Sequence, residues 1–437
     1  MSASTVTPTN PGASAASPAT SGARAVLAPR SWRATITYAV VAGLLGVLAA
    51  SLDGAVRSGF RFSSPSDAVT LPSVAAPSRG LLVVLAILVA LAAIYAGYRA
   101  WHRASAGTWL AICVGLFAVT GFIAWAIAGK GGQIVVTGLL NSALVLSLAL
   151  IFGSLAGVLC ERSGVINIAI EGQLLAGAFL GAVVGTLTGS AVLGMIAAPL
   201  AGVAVAALLA LFAIAYKVDH IIVGVVLNVL VIGVTSFLYS TVLADNPAQL
   251  NSPRSLPVVA IPLLSDIPVL GPVLFRQTIL VYVMYVVVAV LQVMVFRSRW
   301  GLRMRAVGEH PKAADTVGIN VNLTRWKSTL LGGAVAGLGG AAFTVGAGLA
   351  FGKEMTAGKG FIALAAMILG RWSPKGALAA ALLFGFADAL RLNLGVLGSD
   401  VPSQFLGMLP YLATIFAVAG LVGRVRAPAA EGIAYEK

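Results

Sequence analysis

Charged residues are scarce in this sequence. Of 437 residues only 10% are Asp, Glu, Lys or Arg, against about a quarter in an ordinary soluble domain. With 59% of the chain hydrophobic and a mean hydropathy of +0.98, a soluble globular fold is excluded and the chain reads as a polytopic membrane protein. Cysteine is nearly absent. Cys113 and Cys160 both lie in apolar runs, which leaves no disulfide framework and no thiolate metal spacing. The three histidines, His102, His220 and His310, are scattered, so no metal centre is expected. There is no G-x-x-x-x-G-K-[ST] loop, so the chain does not hydrolyse ATP itself. No nucleophile–base pair or phosphate cradle is present either, so neither enzymatic activity nor a cofactor is expected. The net charge of +14 does not signal nucleic acid. The basic residues sit at the ends of apolar runs and in short loops, and form no stripe with interleaved aromatics.

What is present is a series of long charge-free runs. A membrane span needs about 20 apolar residues. Ala34–Leu52, Gly80–Tyr98, Ala104–Gly129 and Gly131–Cys160 each fit one crossing. Gly172–Tyr216 is long enough for two, with GTLTGS at 185–190 as the turn. Ile221–Ala244, Gln277–Phe296, Ser328–Gly352, Gly376–Leu394 and Gln404–Gly423 fit one each, while Gly360–Gly370 is short enough to be a half-helix or re-entrant piece. The expected fold is all-α, with about ten to twelve transmembrane helices and broken or short helices near the centre. Residues 1–33 are rich in Ser, Ala, Thr and Pro and read as a disordered cytoplasmic tail. They lack the apolar core of a signal peptide. Arg24, Arg30 and Arg33 place the N-terminus inside, and the alternation of basic loops then puts the C-terminus inside as well.

Three polar segments interrupt the apolar runs. The most basic is Arg297–Lys327, RSRWGLRMRAVGEHPKAADTVGINVNLTRWK, a cytoplasmic loop by the positive-inside rule. Such a loop suits docking on a soluble partner. A short helix over Val307–Ile319 is expected to present the small residues Ala313, Ala314 and Gly318, beside Gly308, with Arg305 and Glu309 orienting it. A solvated basic face is the plainer alternative. The second segment, CERSGVINIAIEG at 160–172, contains Gly164, Asn167, Glu171 and Gly172. An acid at the start of a span is costly and needs a partner or a task. Glu171 is expected to be a structural cap close to the cytoplasmic end, either pairing with Arg162 or accepting backbone N–H bonds at a helix start. Direct solute contact is the other reading. The third segment, Ser328–Arg391, crowds Gly332, Gly333, Gly337, Gly339 and Gly340 onto one span, which permits close helix packing. The polar residues well inside spans are the pathway candidates: Asn141, Ser142, Asn228 and Asp388, with Thr235 and Ser236 beside them. Interhelical hydrogen bonding is the plain alternative for each, and Asp388 and Arg391, three apart on a helix, can neutralise each other.

GLRMRAVGEHPKAADTVGIN, RSGVINIAIEG, GFIALAAMILG and PSQFLGMLPYLATIFAVAGLVGR, with the ending RAPAAEGIAYEK, resemble the permease subunits of ABC importers. The family is the one that handles branched-chain amino acids, simple sugars and nucleosides, and the likeness is greatest to its nucleoside branch. The resemblance begins near Gly138. It implies a permease core over 131–426 with its coupling segment at 297–327, preceded by an N-terminal transmembrane addition over 34–130 and followed by a short tail at 427–437. It further implies a second homologous permease subunit, a cytoplasmic ABC ATPase and an external substrate-binding lipoprotein. The assembly would sit in the cell membrane, in contact with lipid, and move a small solute by alternating access. A ribose-like sugar is the alternative substrate. An ion-coupled secondary transporter, a membrane enzyme and a scaffold are the rival classes. A nucleoside carries no net charge, so its conduit is expected to expose neutral polar groups, with Asn141 and Asn228 facing it.

Overall fold

The computed structural model describes residues 31–65, 67, 69–398, 402, 404–405, 407–408, 411 and 426–436. Most of the expected N-terminal tail and most of the expected Gln404–Gly423 span lie outside these residues. Among the described residues nine helical segments are long and apolar enough to cross a membrane, in keeping with an all-α polytopic fold.

The chain opens with three apolar helices, α1 (Arg33–Ala50), α2 (Ser78–Trp101) and α3 (Thr108–Ala126), which share a core of Tyr38, Leu45, Leu85, Val89 and Val114. The loop between α1 and α2 carries two short strands, β1 (Arg57–Arg61) and β2 (Val74–Pro77). β1 also pairs in parallel with β3 (Gln133–Val135), just before the next helix. This small sheet, together with Ile123 and Ile127 packed on Ala389, Leu390 and Leu394, ties the first three helices to the rest.

The remainder is built around α4 (Val136–Glu161), whose side chains are buried along nearly the whole helix. Around it lie α5 (Ile170–Leu187), α6 (Ala191–Ala210), α7 (His220–Leu238), the single turn α8 (Pro247–Leu250) and α9 (Ile279–Arg297). α6 and α7 each end in a π-helical turn, Leu211–Ala215 and Tyr239–Leu243, and a third π turn, Gly271–Phe275, precedes α9. Strands β4 (Val258–Ala260) and β5 (Arg276–Thr278) form a hairpin before α9. Then come α10 (Arg299–Glu309), α11 (Pro311–Thr316), α12 (Val321–Gly340), α13 (Lys359–Leu369) and α14 (Pro374–Val396). The two-span reading of 172–216 corresponds to α5 and α6, with Ser190 capping α6 through the Leu193 N–H.

Glycine sets the spacing of the inner helices. A Cβ at Gly177 would overlap the Gly337 carbonyl, one at Gly202 the Gly333 carbonyl, and one at Gly340 the Leu174 carbonyl. α5, α6 and α12 therefore touch backbone to backbone, the geometry that small residues allow where water offers no drive to association. The expected span Ser328–Gly352 stops early. α12 ends at Gly340, and 341–358 returns through turns before the short α13 begins. Replacing Gly177 or Gly202 by Leu forces these backbones apart, so each is expected to cost about 3 kcal/mol or more. The check is the melting temperature of the detergent-purified chain; an unchanged value would show that the seam is not required.

Candidate functional site

Two sites stand out, one deep between the helices and one at the end of the bundle that carries Glu161, Arg297 and Arg371. The deep site is where α5 and α13 begin. α13 has 11 residues, about 16 Å of helix, and ends at Gly370, next to the Arg371 and Trp372 carbonyls that accept from Arg162. Its N-terminus thus lies roughly half a hydrocarbon thickness away from that end. A helix starting there leaves its first N–H groups without water or intrahelical partners. Glu171 supplies the acceptors. Its Oε1 takes the Gly358 N–H at 2.8 Å and the Thr356 hydroxyl at 2.6 Å, and its Oε2 takes the Gly360 N–H at 2.6 Å. A Cβ at Gly360 would overlap the Glu171 backbone, and Gly358 sits at φ +80°, so the close approach and the left-handed turn both require glycine.

Of the two partners expected for Glu171, backbone N–H groups rather than Arg162 are the ones present, and they belong to the start of a different helix, α13. Its expected place near a bundle end is corrected: it lies deep, away from the end that carries Arg162. The reason is topological: after α4 the chain runs back inward through 163–169 before α5 starts, and Glu171 goes with it. Asn228 on α7 holds the same junction from the other side. Its Oδ1 accepts from the Gly172 N–H at 2.8 Å and its Nδ2 donates to the Ile168 carbonyl at 2.9 Å. Both ends of the buried amide are thereby engaged with backbone, and it turns away from the open face of α7 formed by Ile222, Val226, Val229 and Phe237. Asn167 exchanges hydrogen bonds with Gln173. Asp388 meets Lys359 at 2.9 Å and Arg391 at 3.8 Å, so its nearer partner is the first residue of α13. Asn141 is exposed near the start of α4, where its Oδ1 accepts from Gln277 at 2.8 Å, and Ser142 beside it is half-buried. The structure thus gathers Glu171, Gly172, Asn228 and, through Lys359 in the same first turn of α13, Asp388; Asn141 and Ser142 lie apart.

The second site is the polar platform. Instead of one helix over Val307–Ile319 there are two, α10 and α11, broken at His310. Pro311 disfavours helical geometry in the residue before it and opens α11 at its first position. Gly308 is buried against the Arg162 carbonyl, where a Cβ would overlap it. Ala314 is buried with Val307, Val321 and Tyr435. Neither is available to a partner, which corrects the expectation of a docking surface made of Gly308 and Ala314. Burial follows from the amphipathic pattern of α10, whose apolar side needs a floor. Ala313, Val317 and Gly318 remain exposed, Val317 at 74%. The Arg305 guanidinium stacks over Phe296 at 5.3 Å, and Arg162 approaches the same ring at 5.8 Å. Burial draws the Arg162 pKa down, with the nearby Glu309 carboxylate opposing it.

Sequence reasoning missed several contributors. Thr356, Gly358 and Gly360 are signalled only by a T-x-G-x-G spacing ahead of a short apolar run. Trp372 donates its indole N–H to the buried Glu161 at 2.6 Å. Arg325 is 1% exposed, and residues of the expected short tail at 427–437 are docked on the platform. Glu171→Gln would turn an amide donor toward backbone donors, and Asn228→Leu would orphan the Gly172 N–H and Ile168 carbonyl. Each is expected to lower the stability of the purified chain by about 2 kcal/mol. A thermal melt of either variant that overlays the parent would remove the clamp reading.

Comparison with known proteins follows the same division of the chain. Residues 138–419 match the family described as branched-chain amino acid transport system / permease component. The nucleoside ABC transporter permease protein NupC of Lactococcus lactis subsp. cremoris is 39% identical over 67% of this chain and 95% of its own length. The guanosine ABC transporter permease protein NupQ of Bacillus subtilis is 37% identical, again over 67% and 95%. A putative glucose ABC transporter permease protein, TsgC13 of Haloferax volcanii, is 33% identical over 64% and 89%. No solved structure matches. The match begins two residues into α4 and takes in both sites, and by it the chain belongs to the branched-chain amino acid transport system / permease component family.

Proposed function

We propose that this chain is the membrane permease of an ABC importer for nucleosides. The observation that carries the reading is the similarity to nucleoside and guanosine permeases across 95% of their own length. A simple sugar is the second reading, favoured by the 33% identity to the putative glucose permease. Reconstitution with its ATPase and binding lipoprotein in vesicles separates the two. ATP-dependent uptake of labelled guanosine or adenosine is expected, in preference to ribose or glucose. Sugar uptake without nucleoside uptake would overturn the substrate.

The partners follow from the same reading. A second permease would complete the pore, with the bare apolar face of α7 as one surface available to it or to lipid. An ATPase would bind α10–α11, and the external lipoprotein would deliver solute to the opposite end. The N- and C-termini would both be cytoplasmic, supported by Arg33, Arg99, Arg162 and Arg297 at one end of the bundle and the β1–β3 sheet at the other. In the pathway itself, Asn141, Ser142 and Asp388 are the polar candidates kept from the sequence. Asn228, Glu171, Gly172, Asn167 and Gly164 would shape the conduit by holding the α5–α13 junction.

For the ATPase contact, the pair Ala313→Arg and Ala314→Arg distinguishes surface from core. Ala313→Arg is expected to leave the permease folded and to weaken ATPase co-purification about tenfold, a loss typical of an interface centre. Ala314→Arg should instead destabilise the permease, because it places a charge in the Val307–Val321 cluster. Normal co-purification of the Ala313 variant would move the docking surface elsewhere.

The first two helices are a peripheral addition in this reading. A chain starting at Ala104 is expected to support uptake, with α3 still packed on α14. Abolished uptake in a stably inserted chain would place α1 or α2 in the pathway.

A further inference from the structure

The C-terminal residues 428–436 run as a strap beneath the platform, turning at 429–432, and join four segments that are distant in sequence. The Ala430 N–H donates to the Gly308 carbonyl at 2.9 Å, satisfying one of the last carbonyls of α10. The Ala429 N–H donates to the Glu309 carboxylate at 3.3 Å. The Gly432 N–H donates to the Gly164 carbonyl at 3.1 Å, in the turn that leads inward to Glu171. Arg325 of α12 donates from Nη1 to the Ile433 carbonyl at 2.8 Å, and Tyr435 packs on Val307, Ala314 and Val321. Lys217, three residues before α7, pairs with Glu436 at 3.0 Å. Gly432 has φ +73°, and a Cβ there would meet Ile166 at 2.7 Å, so the strap is fitted to the turn by backbone.

We infer that residues 428–436 are positioning residues for coupling: they bind the end of α10 to the 163–166 turn, to α12 and to the start of α7, so that these move as one body. The inference rests on the importer reading above. The end of α10 already abuts the turn, with Gly308 against the Arg162 carbonyl. That contact can push but cannot pull. The strap's hydrogen bonds to both sides supply the pull, so a displacement of α10 in either direction reaches Glu171 and α7. Arg325 fits this role. Among the described residues its Nε and Nη2 have no hydrogen-bond partner, and its guanidinium bonds to the strap. Removing the strap would expose this guanidinium to water instead of stranding it, so the loss falls on coupling more than on folding.

The test uses the complete reconstituted complex in a Cys113→Ser background. One arm ends the chain at Ala427. The truncated permease is expected to assemble and its complex to hydrolyse ATP, while uptake per assembled complex falls about tenfold, the scale of a coupling free energy between sites. The ratio of binding-protein-stimulated to basal ATP hydrolysis should fall in parallel. The other arm joins Lys217→Cys to Glu436→Cys with a flexible bis-maleimide. Uptake should persist after cross-linking, because the strap and the α7 start do not part during transport. Tyr435→Phe, which keeps the ring and gives up only the exposed hydroxyl's bond to Asp315, should stay close to the parent, where Tyr435→Ala should follow the truncation. Uptake unchanged or raised by truncation overturns the inference, the latter marking an inhibitory arm; so does a block by the cross-link. If the truncated chain fails to assemble, the cross-link and the Tyr435 pair decide. A parent complex that imports no nucleoside counts against the substrate, and the stimulated-to-basal ratio still reads the strap.

Discussion

Everything in the inner part of this structure depends on how a helix can begin inside a membrane. The first N–H groups of any helix have no partner of their own, and at that depth water does not supply one. α13 begins there, and the Glu171 carboxylate takes two of its N–H groups and the hydroxyl that precedes them. An unsatisfied backbone group in hydrocarbon costs several kcal/mol, so this one side chain underwrites the broken geometry of 341–370. Its own position is fixed in turn by Asn228, which clips the backbone on either side of it at Ile168 and Gly172. The glycine seams among α5, α6 and α12 complete the frame. At the junction itself Gly360 does the same, since a side chain there would push α13 off the Glu171 backbone.

The same economy of contact governs the platform. Where α10 meets the 162–164 turn, Gly308 brings backbone against backbone with no flexible side chain between them. Packed contacts of this kind are bistable rather than compliant, and small shifts pass through them without being absorbed. A movement of α10 would therefore press on a turn whose next residues lead to Glu171. ATP can bias such a movement only by binding more tightly to a partner state that holds α10 in one position. The exposed surface of α11 at Ala313 and Val317 is where that bias would enter.

Much of this was legible in the sequence, and the residues show why the rest was not. The apolar runs and basic loops gave the helices because span length and charge placement are one-dimensional properties. Glu171 and the glycines of α12 stood out because an acid or a run of glycines in an apolar context is costly without a reason. Partners were another matter. The sequence offered Arg162 to Glu171 because it is nearby along the chain, whereas α13 is nearly two hundred residues away. Ala313 and Ala314 look alike in sequence, and only the packing of α11 on Val307 and Val321 separates an outward residue from a buried one. The break at His310 follows from Pro311, which the helical pattern of 307–319 alone does not reveal. The ending AAEGIAYEK has the composition of a tail, and its hydrogen bonds are mostly backbone ones that composition does not report.

The state of the intramembrane acids bears on the source of energy. An ion-coupled carrier needs a carboxylate that binds its ion in one state and gives it up in another. In the described spans the acids are Glu161, Glu171 and Asp388, and each is engaged in holding the fold. Glu161 takes the Trp372 indole, Glu171 caps α13, and Asp388 joins Lys359 to α14. To release any of them for ion exchange would take the acceptor from a helix start or a buried tryptophan, or the carboxylate from Lys359. The polar groups that could serve coupling by ions are thus spent on architecture. Among the described residues, Ala313, Val317 and Gly318 of the α11 segment stay exposed at the charged end of the bundle. With no phosphate-binding loop in the sequence, ATP-driven work would have to come from a separate protein.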